Sequence, residues 1–475
     1  VPADPAHASA EAARRTWWWF ALAALTFLPA LRLYAIGEEA ILPLTSLEMW
    51  HRGDWILHTI YGHDVKHNPL FNWILIPLAA AAGWEYGLAL SRLIMIVSVV
   101  LTGLTLAGLA RVLFRDPAFA AFTALVYLTL GDLFLQRGWL AYVDPLFGLF
   151  VFASIAGLWL AAERRSAGWL ALAAVALTAA FMTKALTAYV FYGAAGFVLL
   201  FRAEYRRFLL SWPSVALHLL MLAAPVLWFQ GVVGGTGQGG RMVHEMLLKL
   251  MPVGVLAYVG KLVAYPLETF ARMLPAAGLA AYLLWRGRVT LPEPHAVHVR
   301  TAIAIAALNF LPYWLAPQSS VRYLVPLLPL AALVLARVIW RAGEPGTRAL
   351  LRWAAALIVI KLVYLLAAYP YYQATYRGAN YLETAREVNA LAGEFPVYAD
   401  DWTATGLSVV TYLDILRLPR APVTYPGQEW SDGFLLTEID PAGKGRVVRS
   451  WKLGGDELFL VCRGAACDAA PPAPR

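Results

Sequence analysis

The chain has 475 residues, 60% of them hydrophobic and only 14% charged, with a formal net charge of +8. A soluble globule of this balance would precipitate, and a mean hydropathy of +0.60 excludes a polar or disordered chain. The positive excess is not a nucleic-acid signature, because the bases stand at the ends of apolar runs, where anionic headgroups hold them.

Trp17, Trp18 and Trp19 open the first apolar run, 17–36, as an interfacial aromatic belt does. No small-residue cleavage site follows it, so it is expected to remain as an uncleaved anchor with a cytoplasmic N-terminus. Ten further runs are long enough to cross about 30 Å of hydrocarbon: 87–110, 117–134, 142–162, 167–183, 185–201, 208–229, 267–285, 301–316, 321–340 and 348–369. The connectors between them alternate. One kind is arginine-rich, with Arg111 and Arg115, Arg164 and Arg165, Arg202 with Arg206 and Arg207, Arg286 and Arg288, and Arg341 with Arg348. Such connectors stay in the cytoplasm. The other kind carries Glu38, Glu39, Asp144, Lys184, a glycine-rich GGTGQGG stretch and Arg322, and so faces outward.

Counting 68–84 as a full span would put Arg111 and Arg115 outside, so this run is expected to lie along the outer interface. The same holds for 243–264, which carries Lys249 and Lys261. Two long outer loops result, 37–86 and 230–266, and the C-terminus falls outside. From about 371 the pattern changes to short apolar runs separated by Pro, Gly and Asp, as strands are. The expected architecture is mainly α. A transmembrane helix bundle of about eleven spans with outer interfacial helices (1–370) carries a catalytic outer loop, 37–86, and a small periplasmic α/β domain (371–475). Cys462 and Cys467 lie in that outer segment, where a local disulfide and two free thiols are both open.

The outer connectors hold the residues that could do chemistry. Glu38 and Glu39 in GEEA are either a solvated helix cap or a working pair. Asp144 precedes Pro145 at a helix start and could be an N-cap. An acid at the membrane edge is costly unless it faces a polar cavity, so the first outer loop is its expected neighbour. Arg137 is a candidate partner for it, or a phosphate ligand. Lys184, Arg322 beside Tyr323, Arg241 and Lys66 are outer cations, either snorkelling or holding phosphate. Four of the nine histidines fall between 51 and 67; His63 and His67, with His244, leave a divalent metal open, although their spacing is not that of a compact site. Cations would stabilise charge on a leaving phosphate, one carboxylate would take a proton from an incoming hydroxyl, and a second would steady the sugar.

Three motifs in order, GEEA (Gly37–Ala40), RGDW (Arg52–Trp55) and KHNPLFNW (Lys66–Trp73), followed by Asp144 in YVDP, Thr183–Lys184 and Arg322–Tyr323, give the chain its likeness. It resembles the C-type membrane glycosyltransferases, and within them the protein O-mannosyltransferase and aminoarabinose transferase branch. The resemblance implies an inner-membrane enzyme that takes a sugar from a polyprenyl phosphate on the periplasmic face, with inversion and with no cofactor required. Its acceptor would be an envelope lipid, polysaccharide or protein, among membrane lipids and without nucleic acid. It maps the base onto Glu38 and the second acid onto Asp144, and it gives lipid phosphate to Lys184, Arg322 and Arg241. The chain departs from the family at Glu38, where the family has Asp, and at His67 and Asn68, where it has Lys and Pro. The competing class is a transporter or flippase of lipid-linked saccharides. It would place acids near the bilayer midplane in two related halves, and neither feature is visible here.

Overall fold

A computed structural model describes residues 5–64, 67–234, 237–289, 293–376, 380–427, 430–439 and 441–471. Helix α1 (Pro5–Leu25) continues through a 3-10 turn at Leu28–Arg32. The chain then bends by 79° into a second 3-10 turn, Gly37–Ala40, and α2 (Ile41–Arg52). A small hairpin of β1 (Thr59–Ile60) and β2 (His63–Asp64) follows. It is pinned to α2 by the buried Glu48 carboxylate, which accepts from the Tyr61 amide at 2.7 Å and from the Thr59 hydroxyl. Helix α3 (Leu70–Ala82) has 13 residues and so reaches about 20 Å at 1.5 Å per residue, too short to span the hydrocarbon.

The bundle proper follows with α4 (Gly87–Phe114), α5 (Pro117–Leu128), α6 (Asp144–Arg164), α7 (Ala167–Thr183), α8 (Thr187–Leu200), the short α9 (Ala203–Leu209) and α10 (Trp212–Leu227). Asp116 caps α5, accepting from the Ala118 and Phe119 amides at 2.9 and 3.1 Å, with Pro117 in the first helical turn. Helix α6 is central and buried almost throughout. Gly157 lets it approach α7, because a Cβ there would stand 3.0 Å from Ala173 Cβ.

The second half comprises α11 (Gln238–Leu248), α12 (Val255–Arg272), α13 (Ala276–Trp285), α14 (Ala296–Leu315), α15 (Leu328–Arg341), α16 (Glu344–Val363) and α17 (Tyr369–Tyr376). Here the expected span 267–285 fails. Its first residues belong to α12, whose apolar face is exposed, and α13 alone has ten residues. Lys261 holds α12 on the bundle by donating to the Tyr313 and Ala316 carbonyls, at 2.8 and 2.7 Å, at the C-terminal end of α14. By length and composition, six of the described helices can cross a membrane, or seven if the bent first pair counts as one span; the others expected as spans are shorter. Lys361, in the last turn of α16, does not snorkel, and no acid among the described residues pairs with it. It is fully buried, with its ammonium 2.8 Å from the centre of the Phe27 ring and 4.1 Å from that of Phe134.

The two kinds of connector gather at opposite ends. At the arginine-rich end Arg202 bonds Thr301, Tyr205 bonds Glu163, and Arg337 pairs with Glu293 at 2.8 Å. At the other end lies a unit built from α18 (Tyr381–Ala392), β3 (Val397–Ala399), α19 (Ala404–Leu416), β4 (Gly433–Thr437), β5 (Arg446–Leu453), β6 (Asp456–Arg463) and α20 (Ala465–Ala469). Its sheet order is β3-β4-β6-β5, with β3 parallel to β4 and the other pairs antiparallel. Cys462 and Cys467 are bonded to each other. The unit docks on the connector between α1 and α3. Tyr61 donates its hydroxyl to the Asp401 carbonyl at 2.9 Å and accepts from the Tyr425 amide at 3.1 Å, and Thr411 donates to the Ala40 carbonyl at 3.3 Å.

Beside that junction two carboxyls converge on Thr403, whose amide donates to Asp401 at 2.7 Å and whose hydroxyl donates to Glu438 at 2.5 Å. Burial, reinforced by the Asp401 charge, pushes Glu438 from 4.5 up to about 7. A raised carboxyl favours the folded state while it is protonated, so this contribution is complete below about 4.5 and is lost as pH rises through about 7. Glu438→Gln is expected to flatten that slope, worth on the order of 1 kcal/mol after solvent screening. Thermal unfolding of the two proteins at pH 5 and pH 8 tests this.

Candidate active site

The first outer turn is shaped by Gly37. Its φ is +57°, and a Cβ there would stand 2.6 Å from the Tyr142 hydroxyl, so both conformation and space demand glycine. Tyr142 accepts from the Glu38 amide at 3.3 Å, which sets the two neighbouring acids on different courses. Gly37→Ala is therefore expected to shift Glu38 and to lower activity at least tenfold, on the scale that misplacing a reacting group costs. An unchanged rate in a folded variant would contradict it.

Glu39 turns inward and is fully buried. It accepts from the Ile36 amide at 2.9 Å, the Ala141 amide at 2.7 Å and Arg92 Nε at 2.9 Å, and it forms a two-pronged pair with Arg92. Arg92, on α4, spends its remaining donors on the Ala30, Leu33 and Tyr34 carbonyls at 2.6–2.8 Å. Every guanidinium N–H is used, which is what a charge buried this deeply requires. Glu39 is thus not part of the cavity wall, contrary to the expectation of a working pair.

Glu38 turns the other way, into a cavity of about 270 Å³. Asp144, Lys184, His67, Lys249, Arg322 and Tyr323 line it as well, with Tyr142, Tyr313 and Met242. All of them come from the arginine-poor connectors or the helix ends beside them. Asp144 does not cap its own helix; its carboxylate pairs with the Lys184 ammonium. Three cations surround the Tyr323 ring: Lys249 at 4.5 Å, Lys184 at 5.2 Å and Arg322 at 5.3 Å from its centre. The Tyr323 hydroxyl accepts from Lys249 at 3.1 Å. Arg322 Nε is buried and makes no hydrogen bond to any described residue. Like charges gathered in this way repel by about 1–2 kcal/mol per pair, unless an anion sits among them. Burial, and then the Lys184 charge, lower His67 to about 4, so it is neutral. Three cations then face two carboxylates, leaving one net positive charge in the cavity.

The other candidates stand elsewhere. Arg137 pairs with Asp132 at 2.9 Å, an acid that Arg272 also holds at 2.6 Å, and so it is not the partner of Asp144. Arg241 is on α11 but does not line the cavity, although its neighbour Met242 does. His63 packs against Trp402 and Tyr425 of the C-terminal unit, and His244 lies on an exposed face. Among the described residues no group of three or more His, Cys, Asp or Glu side chains could hold a metal ion. Lys66 lies outside the described residues.

Residues 66–229 match the sequence profile of the family described as dolichyl-phosphate-mannose-protein mannosyltransferase. Over 182 residues the chain is 29% identical to the undecaprenyl phosphate-alpha-4-amino-4-deoxy-L-arabinose arabinosyl transferase of Pseudomonas aeruginosa (strain LESB58), covering 34% of this chain. Over 157 residues it is 33% identical to arabinosyl transferase 1 of Pseudomonas fluorescens (strain Pf0-1), covering 31% of this chain and 26% of that protein. The match to the first relative spans 32% of its length, about a third. In fold the likeness runs end to end. The crystal structure of ArnT from Cupriavidus metallidurans bound to undecaprenyl phosphate superposes with a TM-score of 0.71 at 17% identity, covering 96% of this chain and 98% of that one. The resemblance to the protein O-mannosyltransferase and aminoarabinose transferase branch holds in sequence and in fold.

Against that branch, the departures at His67 and Asn68 do different things. His67 faces the cavity as a neutral group. Asn68 faces away and is buried. It donates to the Phe181 carbonyl at 2.8 Å and accepts from Trp228 Nε1 at 3.1 Å, tying the loop to α7 and to the turn after α10.

Proposed function

We propose that the chain is a membrane glycosyltransferase that moves a sugar from a polyprenyl-phosphate donor to an envelope acceptor on the outer face of a bacterial inner membrane. The observation that carries this is a single cavity in which Glu38, a carboxylate with no side-chain partner among the described residues, shares the wall with three cations grouped around Tyr323. One net positive charge suits a phosphodiester, which carries one negative charge. The disulfide in the C-terminal unit fits an oxidising outer compartment.

In this reading Lys184, Arg322 and Lys249 hold the donor phosphate. The acceptor hydroxyl gives its proton to Glu38 as its oxygen attacks the anomeric carbon from the side opposite the phosphate. The bond from that carbon to the phosphate oxygen breaks, the polyprenyl phosphate leaves with one more negative charge, and the cations stabilise that charge as it develops. Attack from the far side inverts the anomeric carbon. Asp144 is committed to Lys184, so it fixes that ammonium and orients the donor rather than serving as the base. Glu39 positions Glu38 through the turn they share.

Asp144→Asn is expected to leave the protein folded and to cut transfer about a hundredfold, because Lys184 loses its anchor. Mass spectrometry of envelope glycolipids and glycans reads this directly. Cells with the wild-type gene should show a species heavier by one glycosyl residue, and cells with the variant should lack it. Identical envelopes with and without the gene would overturn the proposal.

A further inference from the structure

A second cleft of about 820 Å³, three times the volume of the first, opens where the outer end of the first helix meets the last one. One wall is the turn 28–34, and the other comes from residues 365–374 and 380–383. Leu25, Leu28 and Leu366 line its lower part and are 59%, 45% and 63% exposed, as side chains against lipid tails are. Its upper part is polar. Gln373, 9% exposed, lines this part. Arg32 and Glu383 line the same cleft, and among the described residues neither has an ion-pair partner, nor do they pair with each other.

We infer that this cleft binds a phospholipid with a phosphoethanolamine headgroup. Its phosphate would lie on Arg32, its ammonium on Glu383 and its acyl chain along the three leucines. Two unpaired charges of opposite sign call for a ligand that carries both signs. A purely anionic headgroup would leave Glu383 opposed, and a lone cation would leave Arg32 opposed. Gln373 supplies a hydrogen bond at the glycerol or phosphate level. The inference rests on the membrane reading of the chain, because it places this cleft at the outer interface, but it does not require the transfer reaction. The cleft does adjoin the active site structurally: the Tyr34 and Leu33 carbonyls in its wall are the ones that Arg92 grips from the other side.

The test is lipid retention by the full-length protein. Wild type, Arg32→Gln and Glu383→Gln are extracted, exchanged into mixed micelles of phosphatidylethanolamine and phosphatidylglycerol in equal amounts, and weighed by native mass spectrometry. Wild type is expected to keep one phosphatidylethanolamine with a preference of about fivefold or more, the scale of one charge-assisted contact. Glu383→Gln should lose the preference while still retaining lipid, and Arg32→Gln should lose both. Equal retention of the two lipids by wild type, or retention unchanged in Arg32→Gln, would mean unspecific annular lipid and overturn the assignment. Both side chains are exposed, so the variants should fold, and size-exclusion profiles verify this. Repeating the measurement on Glu38→Gln separates the two proposals: retained lipid without transfer sustains the cleft whatever happens at the active site.

Discussion

Glu38→Gln is expected to lower the rate of glycosyl transfer by about 10²–10⁴, the usual contribution of a positioned general base, with donor affinity unchanged. The amide keeps the size and hydrogen-bonding reach of the acid but cannot take the acceptor's proton. The cations around Tyr323 are untouched, so polyprenyl phosphate should bind as it does to wild type. Initial rates in proteoliposomes with a defined lipid-linked donor, paired with a binding measurement, separate the two effects. Glu38→Asp should recover part of the rate, because the charge returns one methylene further back. A Gln variant that turns over like wild type would remove Glu38 from the chemistry and leave the cavity as a binding site only.

One residue along, Glu39→Ala should have the opposite profile. It removes the one carboxylate among the described residues that is bonded to Arg92, whose side chain is wholly buried. Breaking such a pair from one side typically costs about 3–5 kcal/mol, because the surviving charge stays buried without compensation. The expected result is a large drop in the unfolding temperature in detergent, together with loss of activity. Replacing both partners, as Glu39→Ala with Arg92→Leu, should restore much of the stability but not the full rate, since the turn that presents Glu38 would lose its anchors at Ile36 and Ala141. If Glu39→Ala alone were as stable as wild type, the pair would carry no structural weight.

This contrast shows what could be read from sequence. Lys184 and Arg322 stand out as cations on the arginine-poor side, Glu38 and Asp144 as acids at the edge of apolar runs, and the structure brings all four to one cavity. Two adjacent glutamates look alike in a sequence; only the φ of Gly37 and the Tyr142 hydroxyl send one outward and the other inward. Arg92 was missed. It sits inside an apolar run, and its partner lies 53 residues away, a separation no local pattern encodes. A lone arginine within a span was the available signal. Lys249 was seen only as a charge that keeps 243–264 at the interface, because its contact with Tyr323 joins segments 74 residues apart. Arg137 was given the wrong acid because Asp132, the acid it holds, received no separate reading. The span 267–285 looked continuous because hydropathy averages over the break between α12 and α13.

The Arg92–Glu39 knot also bears on how the chain is assembled. A guanidinium released alone into the apolar layer costs a few kcal/mol. Its counter-charge has by then already been synthesised, at the far end of the first hydrophobic segment. Helix α4 can therefore leave the insertion machinery as a neutral element only if that first segment is still waiting alongside. Docking of the two closes the turn that carries Glu38, so the same event that lets the polypeptide settle into lipid also completes the wall of the cavity.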